Sequence, residues 1–270
     1  MGRIGRSMQL VGQSYRILMQ DKELMVLPLI SGIFIAIVAA SFFVSLGVGA
    51  NEFDRENPVH LAAGFALYVV TYAVGIFFQA AVVAGATERM RGGNPTVFSS
   101  LGAAWKRIGA ILVWALVAAT VGMILRAVQE RLGFVGKLIA GFAGVAWSLA
   151  TFFMVPVLVL EEQPVHDSFT RSVATFKKTW GESMVGSVSI GVAAMVGWVT
   201  LVAVAGLIAW AGAGWLALGA FFAGAILLVI LTSALQGVYL ASLYRYATDG
   251  SVPAGFDRDT LAQAFVAKSR

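Results

Sequence analysis

The chain contains no cysteine and only two histidines among its 270 residues. The first absence excludes disulfides, thiolate metal sites and cysteine nucleophiles. Charge is scarce as well: 12% of the residues are Asp, Glu, Lys or Arg, about half of what a soluble domain carries. Over five long stretches (24–51, 57–87, 108–125, 138–160 and 183–244) charge is missing altogether. That pattern excludes a soluble globular domain. It also removes the mid-span acids and bases on which ion-coupled transporters build their relays.

What is present is hydrophobic, at 59% of the sequence, together with 30 glycines. A helix crossing a bilayer needs roughly 20 apolar residues. Each of the first four charge-free stretches holds one span, and the longest holds two, dividing at "WAGAGW", Trp210 to Trp215. There, glycines loosen the helix and the two tryptophans suit a polar–apolar boundary. Six spans are predicted, near 24–48, 59–87, 108–127, 138–160, 185–209 and 216–244. The motif "VGAN" at 48–51 is similar to a signal-peptidase site, but the apolar run before it exceeds the 7–15 residues of a cleavable signal, so the first span is read as retained.

Counting Lys and Arg beside the spans sets the orientation. One side receives Arg3, Arg6, Arg16, Lys22, Arg89, Arg91, Lys106, Arg107, Arg171, Lys177, Lys178, Arg245, Arg258, Lys268 and Arg270; the other receives only Arg55, Arg126, Arg131 and Lys137. Both termini are therefore expected in the cytoplasm, and the location in a bacterial inner membrane. The net charge of +5 is spread over four membrane-flanking segments. Anionic lipid headgroups, and not nucleic acid, are the expected attraction. His60 falls at the outer start of the second span and His166 on the inner side. With about 30 Å of hydrocarbon between them they cannot share a metal, and no Ser–His dyad forms within the bilayer.

Three inner segments are alike. "RSMQLVGQSY" begins at Arg6 and "RSVATFKKTW" at Arg171, and "FSSLGAAW" spans 98–105. Apolar residues recur at helical spacing in each: Ile4, Met8, Val11, Tyr15 and Leu18; Phe98, Leu101, Trp105, Ile108 and Leu112; Val165, Phe169, Val173, Phe176 and Trp180. Such stripes predict amphipathic helices lying in the interface, with Phe169, Val173, Phe176 and Trp180 facing the membrane. Asn94 as cap and Pro95 in the first turn mark the start of the second. Each is followed by two spans, and "FFQAAVVAGATERMRGGNP" aligns without a gap on "ALQGVYLASLYRYATDGSV".

The fold class is thus an all-α membrane protein with six transmembrane helices. They form three tandem repeats of interfacial amphipathic helix plus transmembrane hairpin, pseudo-threefold about the membrane normal. Its single polytopic domain divides as an N-terminal interfacial helix 1–23, first hairpin 24–93, second interfacial helix 94–107, second hairpin 108–160, third interfacial helix 161–184, third hairpin 185–247 and cytoplasmic tail 248–270.

The stretches "GRIGRSMQLVGQSYRILMQDKELMVLPLISGI" and "VPVLVLEEQPVHDSFTRSVATFKKTW" resemble an uncharacterised family of bacterial six-helix integral membrane proteins, a domain of unknown function. More loosely, the second is similar to the membrane domain attached to some glycerophosphodiester phosphodiesterases. The resemblance implies the fold and the location and brings no activity or catalytic residue.

Candidate chemistry is sparse. Glu161, Glu162, His166 and Asp167 form the densest polar cluster. They read either as an acid–base couple or weak metal site, or as a solvated turn before an amphipathic helix. Pro164 interrupts the stretch and favours the turn. Gln79 and Gln236 sit at matching places in two spans. They read either as glue to Thr71, Tyr72, Thr232 or Tyr239, or as the lining of a polar path, with glue favoured. Pro28 and Pro156 are expected to bend their spans. The glycines Gly197, Gly206, Gly219 and Gly224 are expected at close helix contacts. Arg6, Arg16, Lys106, Arg107, Arg171, Lys177 and Lys178 form the expected headgroup or partner surface.

"GRIG" at 2–5 and "RGGNP" at 91–95 are too short and misplaced for a phosphate loop, and no cofactor or metal is expected. Neither is an enzyme. The expected function is a small permease or channel for a neutral or lipid-like solute, without ion coupling. The alternative is a non-catalytic scaffold or lipid-organising subunit that binds anionic lipid or a partner, alone, as a homo-oligomer or within a larger membrane complex.

Overall fold

Where charge is absent and proline rare, backbone groups in hydrocarbon have only one another to bond, and the chain becomes helix. The computed structural model describes residues 3–46, 54 and 57–249, and their side chains except at 3–11, 46 and 179–189. Among the described residues there is no strand. The elements are α1 (Arg3–Gln20), α2 (Glu23–Leu46), α3 (Pro58–Met90), α4 (Val97–Trp105), α5 (Ile108–Arg131), α6 (Gly133–Ala150), α7 (Met154–Leu160), α8 (Val165–Trp210) and α9 (Gly214–Asp249). Six stretches are long and apolar enough to cross a membrane: Glu23–Ser45, Pro58–Met90, Ile108–Arg131, Gly133–Leu160, Ile190–Trp210 and Gly214–Asp249. They match the six predicted spans and make this a multi-pass membrane protein.

The chain divides into two compact units. One comprises Met1–Pro28, Gly85–Val97 and Lys177–Arg270, the other Leu29–Ala84 and Phe98–Phe176. In the first, α1 packs on α9. Among the described side chains of α1, Ser14, Ile17 and Leu18 are buried, as is Asp21 just after it, while Tyr15 of the predicted stripe is exposed. On α9 the run Ala234 to Tyr244 is buried except at Gln236.

In the second unit α5 packs on α6. Trp114 stacks on Trp147 at 5.6 Å between centroids, and Trp147 on Phe169 at 5.9 Å. These rings, with Ala118, Met154 and Leu158, form the unit's aromatic-centred core. Phe176 packs on Phe152 and is buried. Phe169 and Phe176 therefore turn into the protein, contrary to the expectation that they face the membrane.

The second stripe behaves oppositely. Phe98 and Trp105 are strongly exposed, and Ser100 and Ala104 are buried. Helices in lipid pack through small residues, since lipid tails are as apolar as leucine. Among the described side chains of the three segments, the buried positions with hydroxyls are Ser14, Ser100, Ser168, Ser172 and Thr175.

Three local departures from expectation have clear causes. Helix α4 starts at Val97 rather than at 94. The Glu23 carboxylate accepts the Val97 N–H at 3.0 Å, while the Asn94 side chain is engaged by Arg89. Between α5 and α6 only Leu132 lies outside a helix, so the predicted loop at 128–137 is almost wholly helical. Gly133, at φ 55°, makes the turn, and a Cβ at Gly136 would collide with the Val128 carbonyl. The third surface segment and the fifth span form one 46-residue helix, α8. No proline or glycine pair falls between Val165 and Trp210 to stop it. The turn at Trp210–Trp215 is as predicted: Gly212 takes φ 85°, and both tryptophans are 89% exposed.

Candidate functional site

Pro156 does more than bend its span. Lacking an N–H, it removes the bond to the carbonyl four residues back, and its ring crowds that turn. The span breaks at Thr151–Phe153, separating α6 from α7. Inside hydrocarbon such a gap needs new partners, and the Ser172 hydroxyl of α8 supplies them. It accepts the Phe153 N–H at 3.1 Å and donates to the Ala150 carbonyl at 2.8 Å. Ser172 is fully buried. It is the serine of the "RSVATF" motif, so the motif's hydroxyl closes a broken helix.

The far end of α7 is held by cations. Arg107 donates from Nε to the Leu158 carbonyl at 3.0 Å and from Nη2 to the Gln163 carbonyl. This guanidinium is thereby turned toward the backbone instead of lying open as a headgroup contact. Arg171 donates from Nε to Glu161 Oε1 at 3.1 Å. Glu162, one residue on, adopts φ 54°. That left-handed step lets the chain leave α7 before Pro164, and glycine usually fills it.

A side chain there costs about 1–2 kcal/mol of backbone strain, partly offset by the lower entropy of a non-glycine chain. Glu162→Gly is accordingly expected to raise stability by about 0.5 kcal/mol. Thermal unfolding in detergent checks this, and a lower Tm would mean that the Glu162 carboxylate holds a stabilising contact.

The acidic cluster does not converge. Glu161 points to Arg171, Glu162 is exposed, and His166 lies 3.4 Å from Asp167 with both largely exposed. Among the described residues no three of His, Asp and Glu are placed to hold a metal ion. Of the remaining expected surface cations, Arg16, Lys106, Lys177 and Lys178 are exposed. The side chains of Arg6 and Trp180, residue Arg55 and the tail beyond Asp249 lie outside the described residues. Gln79 and Gln236 are both exposed. Two of the hydroxyls suggested as their partners bond within their own helices, Thr71 to the Leu67 carbonyl and Thr232 to the Leu228 carbonyl. Tyr72 accepts from Tyr68 at 3.3 Å.

A second polar node, in the other unit, escaped the sequence reading. Arg89 Nε lies 2.9 Å from Asp21 Oδ2. Its Nη1 reaches the Gly93 carbonyl at 3.2 Å and Asn94 Oδ1 at 3.4 Å, and its Nη2 the Gln20 carbonyl at 3.5 Å. Asp21 is buried. Burial pushes its carboxyl above the usual range; the Arg89 cation pulls it down less strongly, and Glu23 and Glu88 add repulsion. The signal available in sequence was slight, one acid and one base 68 positions apart.

The two helices of the last hairpin enclose an open apolar cleft of about 470 Å³. Gly197, Thr200, Leu201 and Val204 of α8 line one side, and Gly224, Leu227, Leu228 and Leu231 of α9 the other. Leu228 sits over Gly197 and Leu201 over Gly224, so these two glycines do serve close helix contacts, whereas Gly206 and Gly219 face open space.

A sequence profile described as a family of unknown function, DUF6159, matches residues 59–256. No curated protein and no solved structure matches the chain.

Proposed function

Taking as premise that the chain belongs to the DUF6159 family, we propose that it is a non-enzymatic membrane protein that passes a neutral or lipid-like solute, received sideways from the bilayer. The observation that carries this reading is the cleft between α8 and α9. It is lined by aliphatic side chains, glycines and one threonine, and it is largely open. Both helices are spans, so the medium around the cleft is hydrocarbon and its natural occupant is an acyl chain or a solute of like polarity. A location in a bacterial inner membrane with cytoplasmic termini, and the three-unit repeat, belong to the same proposal. The repeat rests on the likeness of the three surface segments in sequence, each of which has at least one buried hydroxyl residue.

The test is transfer in reconstituted liposomes. Protein vesicles should move fluorescent phospholipid or a small neutral solute about tenfold faster than protein-free vesicles. Thr200→Trp with Leu227→Trp, which fills the cleft, should return the rate to background. Rates equal to protein-free vesicles across a broad solute panel would sink the reading.

The lipid-organising alternative rests on the exposed Arg16, Lys106, Lys177 and Lys178. Each cation near an anionic surface contributes about 1 kcal/mol. Replacing Lys177 and Lys178 by alanine should then lower co-purifying anionic lipid without disturbing the fold.

A further inference from the structure

The cleft between α8 and α9 has a definite depth. The span Ile190–Trp210 has 21 residues. At about 1.5 Å per residue it covers about 30 Å, the thickness of the hydrocarbon layer. Its middle residue is Thr200, and Thr200 lines the cleft. Trp210 and Trp215 flank the turn at one end, both strongly exposed, as indole rings at a membrane interface are. Counted along the helices from those two rings, the lining runs from Val204, about 9 Å deep, to Leu231, about 24 Å deep. The cleft therefore crosses the bilayer midplane, with about 15 Å of wall along the span.

Those walls offer a solute nothing polar. Thr200 is the one polar lining residue, and its hydroxyl donates to the Val196 carbonyl of its own helix at 2.9 Å. The walls are also held in place by two reciprocal contacts, Leu228 over Gly197 and Leu201 over Gly224.

We propose that the cleft binds the hydrocarbon tail of a lipid whose tail is longer than one leaflet, such as a polyprenyl chain. This rests on the reading of the cleft as a site entered from the bilayer, and it narrows the occupant from any neutral solute to a tail. Ordinary acyl chains end at the midplane, because two leaflets share the hydrocarbon layer of about 30 Å. Filling the cleft from end to end with them takes two chains, one from each leaflet, ordered together. One continuous tail fills it at the cost of a single molecule's freedom. A tail gains nothing by leaving hydrocarbon for hydrocarbon, so its binding comes from packing against a preformed wall.

The test uses two probes that share a headgroup and differ in tail. Undecaprenyl phosphate has a tail that exceeds a leaflet, and geranyl phosphate has one that falls short of the midplane. The whole chain is placed in phosphatidylcholine nanodiscs with either probe, released, and read by native mass spectrometry. Wild type should retain undecaprenyl phosphate saturably and about tenfold more strongly than geranyl phosphate. Thr200→Trp with Leu227→Trp should lower that retention about tenfold. Val199→Trp, next to Thr200 but outside the lining, should leave it unchanged. If the double variant fails to fold, Leu227→Trp decides alone, since that side chain is largely exposed.

Equal retention of the two probes assigns the binding to the headgroup and overturns the proposal, as does retention that Leu227→Trp does not change. Phosphatidylcholine retained in place of either probe, and lost in Leu227→Trp, gives the cleft to ordinary acyl chains and overturns the long tail. Retention of undecaprenyl phosphate without transfer in liposomes supports this site and sinks only the transport reading. Transfer of small solutes without such retention overturns this site and leaves the transport reading standing.

Discussion

Ser172→Ala should destabilise the protein by about 3 kcal/mol, because it strands a buried N–H and a partly buried carbonyl at about 1–3 kcal/mol each. The Phe153 N–H and the Ala150 carbonyl meet the Ser172 hydroxyl and lie where Pro156 has broken the span. The loss should appear as a fall of roughly 6–12 °C in Tm. A serine whose hydroxyl merely bonds its own helix gives the contrast. Ser148→Ala removes an exposed bond to the Gly144 carbonyl and should shift stability by less than about 0.5 kcal/mol. The decisive variant is the double one. With Pro156→Ala the helix can run through the break and offer Phe153 an ordinary partner, so Ser172→Ala should cost far less in that background. Equal losses with and without Pro156 would mean that the serine acts by packing and not by closing the break.

Arg89→Ala should be comparably severe, about 3 kcal/mol at neutral pH, since removing one partner of a buried ion pair leaves the other charged and desolvated. Asp21→Asn alone should change stability by less than about 1 kcal/mol, because the half-exposed Arg89 can turn to water. It should also recover part of the Arg89→Ala loss. The carbonyl contacts of Arg89 with Gln20 and Gly93 make full recovery impossible.

The pH dependence has a definite sign. The folded-state pKa of Asp21 is raised, so its contribution is fully present below the unfolded value of 3.8 and is lost as pH rises through the folded value. Wild type minus Asp21→Asn should therefore lose Tm as pH climbs from about 4 toward neutrality. A difference that grew with pH would refute the burial-dominated carboxyl.

These two sites differ in how far the sequence disclosed them. The spans were legible because absence of charge over 18 or more residues has few other meanings. Pro156 was visible as a disturbance, and the "RSVATFKKTW" segment stood out as a repeated pattern. The link between them was not, since a serine on an amphipathic helix looks like part of its wet face. In water that inference is sound. In lipid both faces can be apolar, and helical periodicity no longer says which one is covered. Phe98 and Trp105 thus point outward while Phe169 and Phe176 point inward, although the spacing of the two stripes is alike. Arg89 and Asp21 were invisible for a simpler reason: no local pattern joins residues 68 apart. Arg107 read as a headgroup contact because the sequence shows its charge and not the carbonyls at the end of α7.

The stitched break also sets an order of events as the chain is made. A ribosome delivers residues from the N-terminal end, so Ala150 and Phe153 emerge well before Ser172. Until the first turns of α8 have followed, the fourth span carries an open seam that hydrocarbon tolerates poorly. The span can enter the bilayer at once, but it reaches its final seat only after the next helix has begun. A nascent chain stalled before residue 172 should accordingly hold its first three spans firmly and its fourth loosely. Commitment of the fourth span is in this way timed by a side chain some twenty residues downstream.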